Sequence, residues 1–148
     1  MRALILNGPN LNMLGFREPE IYGHETLQDL EHLCHKTAQD LGLALDLRQS
    51  NHEGTLVDWI QDLARGKTHD GLIINAGAYT HTSVALHDAL RLLDIPIIEV
   101  HISDPKTREP FRHTSYIEPL ASAVIAGKGV KGYGLALQKM AEILGRSK

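Results

Sequence analysis

Gly71-Leu72-Ile73-Ile74-Asn75 is an apolar run that stops on a polar residue. Ala76-Gly77-Ala78-Tyr79-Thr80-His81-Thr82 follows, then an amphipathic stretch over residues 83–93 and a second apolar run over residues 97–100. Each apolar run is too short for a helix and is bounded by turn-forming residues, so both read as buried strands. Parallel strands need a long crossover between them, and a helix packed on the sheet is the usual solution. The same alternation extends to both ends of the chain. Upstream, residues 3–7 and 44–48 read as strands, and downstream residues 123–126 read as the last one. Residues 26–41 place Leu27, Leu30, Leu33, Cys34, Ala38 and Leu41 at helical spacing, with Thr26 and Asp29 as a capping pattern and Gly42 as the stop. Residues 54–64, through Leu56, Val57, Ile60, Leu63 and Ala64, and residues 83–93, through Val84, Leu86, Ala89, Leu90 and Leu93, read as crossover helices. A last helix over residues 134–144 is expected to cover the final strand through Leu135, Leu137, Ala141 and Leu144, with Gly132 and Gly134 weakening only its start.

The spacing therefore predicts an α/β fold: a flavodoxin-like, doubly wound, five-stranded parallel sheet of order 2-1-3-4-5 with helices on both faces. No repeat, low-complexity segment or linker-like composition shift divides the chain, so residues 1–148 are expected to form a single domain. Ligands of such a sheet bind beyond the carboxyl ends of the strands. Two long irregular stretches, residues 9–23 and 101–115, follow strands, and loops of that length in a compact domain are usually functional.

Composition narrows the partners. A formal charge of −3 carries neither the basic footprint of a nucleic-acid binder nor an acidic disordered tail, which leaves small molecules or further copies of the chain. The lone Cys34 cannot form an intrachain disulfide and reads as a small buried hydrophobe. The first residues hold too short an apolar run for a signal peptide or a membrane span, so a cytoplasmic protein is expected. The nine histidines include no zinc-like pattern with cysteine, and His32 and His35 fall on the polar face of the first long helix. No metal or other cofactor is expected. Gly127-Lys128-Gly129-Val130-Lys131-Gly132 has glycines but the wrong context for a phosphate loop, because it follows the final strand.

The strand ends carry the chemistry. Asn7-Gly8-Pro9-Asn10-Leu11-Asn12 is a tight polar turn able to offer amides to an oxygen-rich ligand, or simply a turn. Farther along, Arg17 and Tyr22 share a lid-like segment bounded by Gly15 and Gly23. A guanidinium close to the Tyr22 hydroxyl would favour phenolate over phenol. Asn75 and His81 sit at the end of the third strand and can face the same crevice. Glu99-Val100-His101-Ile102-Ser103 places a carboxylate two residues before an imidazole, on the same side of a strand, where it can hold the ring charged as a general acid requires. A glutamate inside an apolar run is costly to bury unpaired, which favours that pairing. Lys106, Arg108, Arg112 and His113 form a cationic cluster suited to a carboxylate, a phosphate or hydroxyls. Asp88, on the helix after His81, can face the crevice, a neighbouring subunit or water.

Taken in order, Asn7-Gly8-Pro9-Asn10-Leu11, Arg17-Glu18-Pro19 with Tyr22-Gly23, Gln49-Ser50-Asn51-His52-Glu53-Gly54, Asn75-Ala76-Gly77 with Thr80-His81-Thr82-Ser83, and Glu99-Val100-His101-Ile102-Ser103 resemble type II 3-dehydroquinate dehydratases over nearly the whole chain. The resemblance implies trans-dehydration of 3-dehydroquinate to 3-dehydroshikimate through an enolate, in the shikimate pathway or in quinate breakdown, with neither metal nor Schiff base. It implies Tyr22 as the base, Arg17 as the charge beside it, Asn10 as the holder of a water at the enolate oxygen, and His101, supported by Glu99, as the acid. It places Asn75, His81 and Arg112 on substrate hydroxyls and Ile102 and Ser103 on the carboxylate. Arg108 would help close the lid over Arg17 and Tyr22. Asp88 would reach a neighbouring subunit's site in a homododecamer, a tetramer of trimers. A receiver domain or a flavin carrier on the same fold is the competing non-enzymatic reading, and a small phosphate-releasing lyase is the runner-up among enzymes. A receiver would need an aspartate where Asn75 stands, and a flavin carrier a hydroxyl-rich loop where Gly8-Pro9-Asn10 stands.

Overall fold

The computed structural model describes residues 1–146. Five parallel strands, β1 (Arg2–Asn7), β2 (Ala44–Gln49), β3 (Gly71–Asn75), β4 (Ile97–His101) and β5 (Ala123–Ala126), form one sheet of order β2-β1-β3-β4-β5. The flavodoxin-like order expected from the sequence is the one observed. The register pairs Asn7 with Gln49 on one side and with Asn75 on the other, so three amide side chains end three adjacent strands at the same edge.

Alternation within the central strands sorts the core into two layers. Ala3, Ile5, Ile73, Ile98 and Val100 pack under α2 (Leu27–Asp40) and α5 (Lys131–Arg146). Leu4, Leu6, Leu72 and Ile74 pack under α3 (Glu53–Gly66) and α4 (Val84–Leu90). The α2 start is a complete capping box: Thr26 Oγ1 accepts from Asp29 N at 3.2 Å, and Asp29 Oδ2 accepts from Thr26 N at 2.9 Å. Those bonds from Thr26 hold the Asp29 carboxyl below the usual carboxylate range. At α4 the cap is Ser83, whose hydroxyl accepts from Leu86 N at 2.9 Å.

Two helices differ from expectation. α4 ends at Leu90, because Leu92 N and Leu93 N bond three residues back, to Ala89 and Leu90, and tighten the chain into turns. α5 begins at Lys131, three residues earlier than its glycines suggest. A side chain at Gly132 would make only ordinary contact with Ile125 and Val100, and the glycine does not interrupt the helix. The buried face of α5 is consequently Tyr133, Ala136, Leu137, Met140 and Leu144, while Leu135 is exposed, as is Val84 on α4.

The long stretches after β1 and β4 are only partly irregular. Pro19–Tyr22 is a single helical turn, α1, and Pro105–Thr107 and Pro110–Arg112 are single 3-10 turns, each starting on a proline whose fixed φ suits a first helical position. No helix among the described residues is long and apolar enough to cross a membrane.

Candidate active site

The carboxyl ends of β1, β3 and β4 open into a cleft of about 170 Å³, walled by the two long loops. Its floor depends on close backbone contact. Gly8 N donates to Asn75 O at 2.7 Å, and a Cβ on Gly8 would lie 2.5 Å from Ala76 O, so only glycine lets the first turn sit against the third strand. Asn10 then adopts the left-handed region at φ 67°, which asparagine tolerates, and its N–H donates to Asn51 Oδ1 at 3.0 Å. These bonds hold Asn10 at the cleft rim.

One wall carries Tyr22. Arg17 Nη2 donates to its hydroxyl at 3.1 Å and Arg108 Nη1 at 2.8 Å, and the Arg17 guanidinium lies 4.3 Å from the ring centroid. Arg108 Nη1 also reaches Ser103 Oγ at 3.2 Å. Two cationic donors on one phenolic oxygen stabilise negative charge there.

His101 lines the same cleft. Its Nε2 lies 2.7 Å from Glu99 Oε1, both groups being buried at 8% and 1% exposure. With Nε2 committed to the carboxylate, Nδ1 is the nitrogen left for the cleft. Ser115 Oγ donates to the same carboxylate oxygen at 2.6 Å, and accepts from Ile117 N and Glu118 N. Glu99 Oε2 and Thr80 Oγ1 are buried with no partner among the described residues. The His81 ring stacks 6.5 Å from that of His101, and its Nδ1 donates to Thr114 O at 2.7 Å, since a carbonyl only accepts. Its Nε2 is thereby free for a ligand.

Cation and backbone complete the enclosure. Arg112 Nε donates to Glu109 Oε2 at 2.8 Å, which fixes the guanidinium at the cleft. The Glu109 carboxyl is held below its usual range by its own backbone N–H and by Arg112. Ile102 and Ser103 turn their carbonyls to Gly129 N and Gly127 N. Because a trans peptide points its C=O and N–H in opposite directions, the Ser103 N–H faces away from the glycine turn.

Of the residues expected from the sequence, Asn10, Arg17, Tyr22, Asn75, His81, His101, Ile102, Ser103, Arg108 and Arg112 line one cleft. Glu99 stands behind His101 rather than in the lining. Asp88, whose facing the sequence left open, is exposed on α4 and does not line the cleft. Arg108, expected as a lid residue, bonds Tyr22 directly. Two contributors escaped the sequence reading: Ser115 bonds Glu99, and Tyr133 bonds Asn75 from α5. Ser115 had no signal beyond lying in the cationic loop, and Tyr133 fell just outside the expected helix. Among the described residues, no lysine lines the cleft and no group of three or more His, Cys, Asp or Glu side chains is arranged to hold a metal ion.

Comparison with known proteins gives a consistent answer. A family model described as dehydroquinase class II matches residues 1–141. The chain is 56% identical over 140 residues to 3-dehydroquinate dehydratase 2 of Ralstonia nicotianae, covering 93% of this chain and 91% of that protein. It is 58% identical to 3-dehydroquinate dehydratase 1 of Corynebacterium efficiens, covering 95% and 91%. The crystal structure of a type II dehydroquinase from Butyrivibrio crossotus superposes with a TM-score of 0.91 at 44% identity, covering 95% of this chain and 97% of that one.

Proposed function

The chain belongs to the dehydroquinase class II family, and from that premise we propose how its cleft removes water from 3-dehydroquinate. The reaction is that of a hydro-lyase giving 3-dehydroshikimate. Tyr22, as phenolate, takes a proton from the carbon beside the ketone. The electron pair moves onto the ketone oxygen to give an enolate. Asn10 holds a water that donates to that oxygen, so the enolate is stabilised through solvent. The pair then returns to form the carbon–carbon double bond as the C–O bond breaks. His101 gives its proton to the departing hydroxyl, which leaves as water, and Glu99 holds the imidazolium that supplies it.

The observation that carries this reading is the convergence of Arg17 and Arg108 on the Tyr22 hydroxyl, in a cleft also lined by His101 with Glu99 bonded behind it. A base and an acid in one cleft suit removal of a proton and a hydroxyl from one ring. Asn75, His81 and Arg112 bind substrate hydroxyls. The Ile102 and Ser103 N–H groups and the Ser103 hydroxyl bind the carboxylate. Neither a metal nor a Schiff-base lysine is needed, because the charge that develops is carried by Arg17, Arg108 and the enolate water. Asp88, exposed on α4, serves a neighbouring subunit's cleft in a homododecamer built as a tetramer of trimers. Residues 1–148 act as one catalytic domain, in the cytoplasm, on the shikimate pathway.

Ultraviolet absorbance of chelator-treated protein with 3-dehydroquinate, followed by borohydride and a second assay, tests the reaction class. Enone absorbance that grows and survives borohydride is the expected result. Loss of activity after borohydride in the presence of substrate would mean a Schiff base and overturn the reading.

A further inference from the structure

We propose that Tyr133, on α5 and outside the cleft, is a positioning residue for the reaction: it orients the Asn75 side-chain amide so that an N–H, not the carbonyl, meets the substrate hydroxyl. The inference rests on the reading that Asn75 binds a substrate hydroxyl. Its basis is a chain of hydrogen bonds whose direction is forced. Gly77 N donates to Asn75 Oδ1 at 3.1 Å, and a backbone N–H has no other role available. The amide oxygen must therefore face Gly77, which turns Nδ2 to Tyr133, where it donates to the hydroxyl oxygen at 2.9 Å. The Tyr133 proton is then free to go to Asn7 Oδ1, at 2.6 Å. Reversing the Asn75 amide would set two donors against each other at Gly77 and two oxygens against each other at Tyr133, unless the hydroxyl proton also swung round.

Burial makes the lock stiff. Tyr133 is fully buried, Asn7 is 1% exposed and Asn75 4% exposed, so water is a poor substitute for any of these partners. Burial also pushes the Tyr133 hydroxyl well above the usual tyrosine range, so it remains a donor to Asn7 throughout any working pH. The strand register brings Asn7 and Asn75 side by side on the face that α5 covers. One α5 residue thereby fixes the amides ending two strands. After Tyr133 takes one Nδ2 hydrogen, the other is the donor Asn75 has left for the cleft it lines.

Because the bond to a hydroxyl is present in both bound substrate and transition state, its loss is expected chiefly in KM. Tyr133→Phe keeps the packed ring and should raise KM on the order of tenfold, the size of one hydrogen bond's net contribution, with kcat changed by less than about threefold. Asn75→Ala should raise KM at least as much, and the double variant no more than Asn75→Ala alone, since Tyr133 acts through Asn75. A purely structural tyrosine would lower thermal stability and leave KM alone, or add its effect in full to that of Asn75→Ala, and either result overturns the proposal. An Asn75→Ala enzyme with unchanged KM overturns the Asn75 reading along with it. If Tyr133→Phe does not fold, Asn7→Ala removes the acceptor that orders the hydroxyl and should give the same non-additive rise in KM; an unchanged KM there overturns the proposal.

Discussion

Arg108 Nη1 lies 2.8 Å from the Tyr22 hydroxyl, nearer than Arg17 Nη2 at 3.1 Å, although Arg108 is 86 residues away in the chain and Arg17 only five. Tyr22 is therefore held by both loops at once. Arg108 also bonds Ser103, so the group that steadies Tyr22 reads the position of the β4 end as well.

Arg108→Ala should accordingly cost at least as much kcat as Arg17→Ala, about 10²-fold or more, the usual effect of removing one donor from a developing charge. Steady-state kinetics on the two variants checks this. An Arg108→Ala enzyme with near-normal kcat would confine that residue to lid closure.

Glu99 has one carboxylate oxygen bonded to both His101 and Ser115, while the other is buried unpartnered. Such a group is costly to fold around, and the proposed mechanism accounts for it by the support Glu99 gives His101. Glu99→Gln is expected to lose roughly 10²–10⁴-fold in kcat, the range of a general acid, without lowering the melting temperature. Calorimetry alongside turnover measures the two effects together. A large drop in stability with little change in rate would make the pair structural.

Cys34 is fully buried on α2, and burial pushes its thiol up to about 12. Only about one thiol in ten thousand is then ionised at about pH 8. Labelling by a thiol reagent at that pH should be negligible in the native enzyme and complete in denaturant. Rapid native labelling would show that α2 opens.

Asp46, at the far side of the sheet, accepts from His69 Nε2 at 2.7 Å and pairs with Arg2 at 2.9 Å. Its carboxyl is held below the usual range of 3.8, first by the His69 bond. A depressed carboxyl stabilises the fold above its unfolded value, and that contribution fades as pH falls through the folded one. Wild type should therefore lose more thermal stability on acidification below about pH 4 than Asp46→Asn does. Parallel acid dependence in the two would remove Asp46 from the account.

The fold was legible because it rests on local pattern. Apolar runs such as residues 71–75, the Thr26–Asp29 cap and Gly42 each report their own neighbourhood. The Glu99–His101 pair was legible for the same reason, since two-residue spacing fixes a side on any strand. The Arg108–Tyr22, Ser115–Glu99 and Tyr133–Asn75 bonds join residues far apart in sequence, and which loop residue reaches across depends on packing that no spacing encodes. Tyr133 was hidden further by flanking glycines, which weaken the start of the helix in the sequence yet lie inside α5. Asp88 stood on the expected helix, yet its facing was open in the sequence, and α4 turns it outward.

The division of labour between Tyr22 and His101 is tested most directly by following deuterium uptake at the carbon beside the ketone, by NMR, in D2O. His101→Ala should exchange that proton while dehydrating very slowly, because the base still works and the acid is gone. Tyr22→Phe should neither exchange nor dehydrate. Exchange at the wild-type rate in Tyr22→Phe would contradict the account, because the proton would then be leaving to some other group.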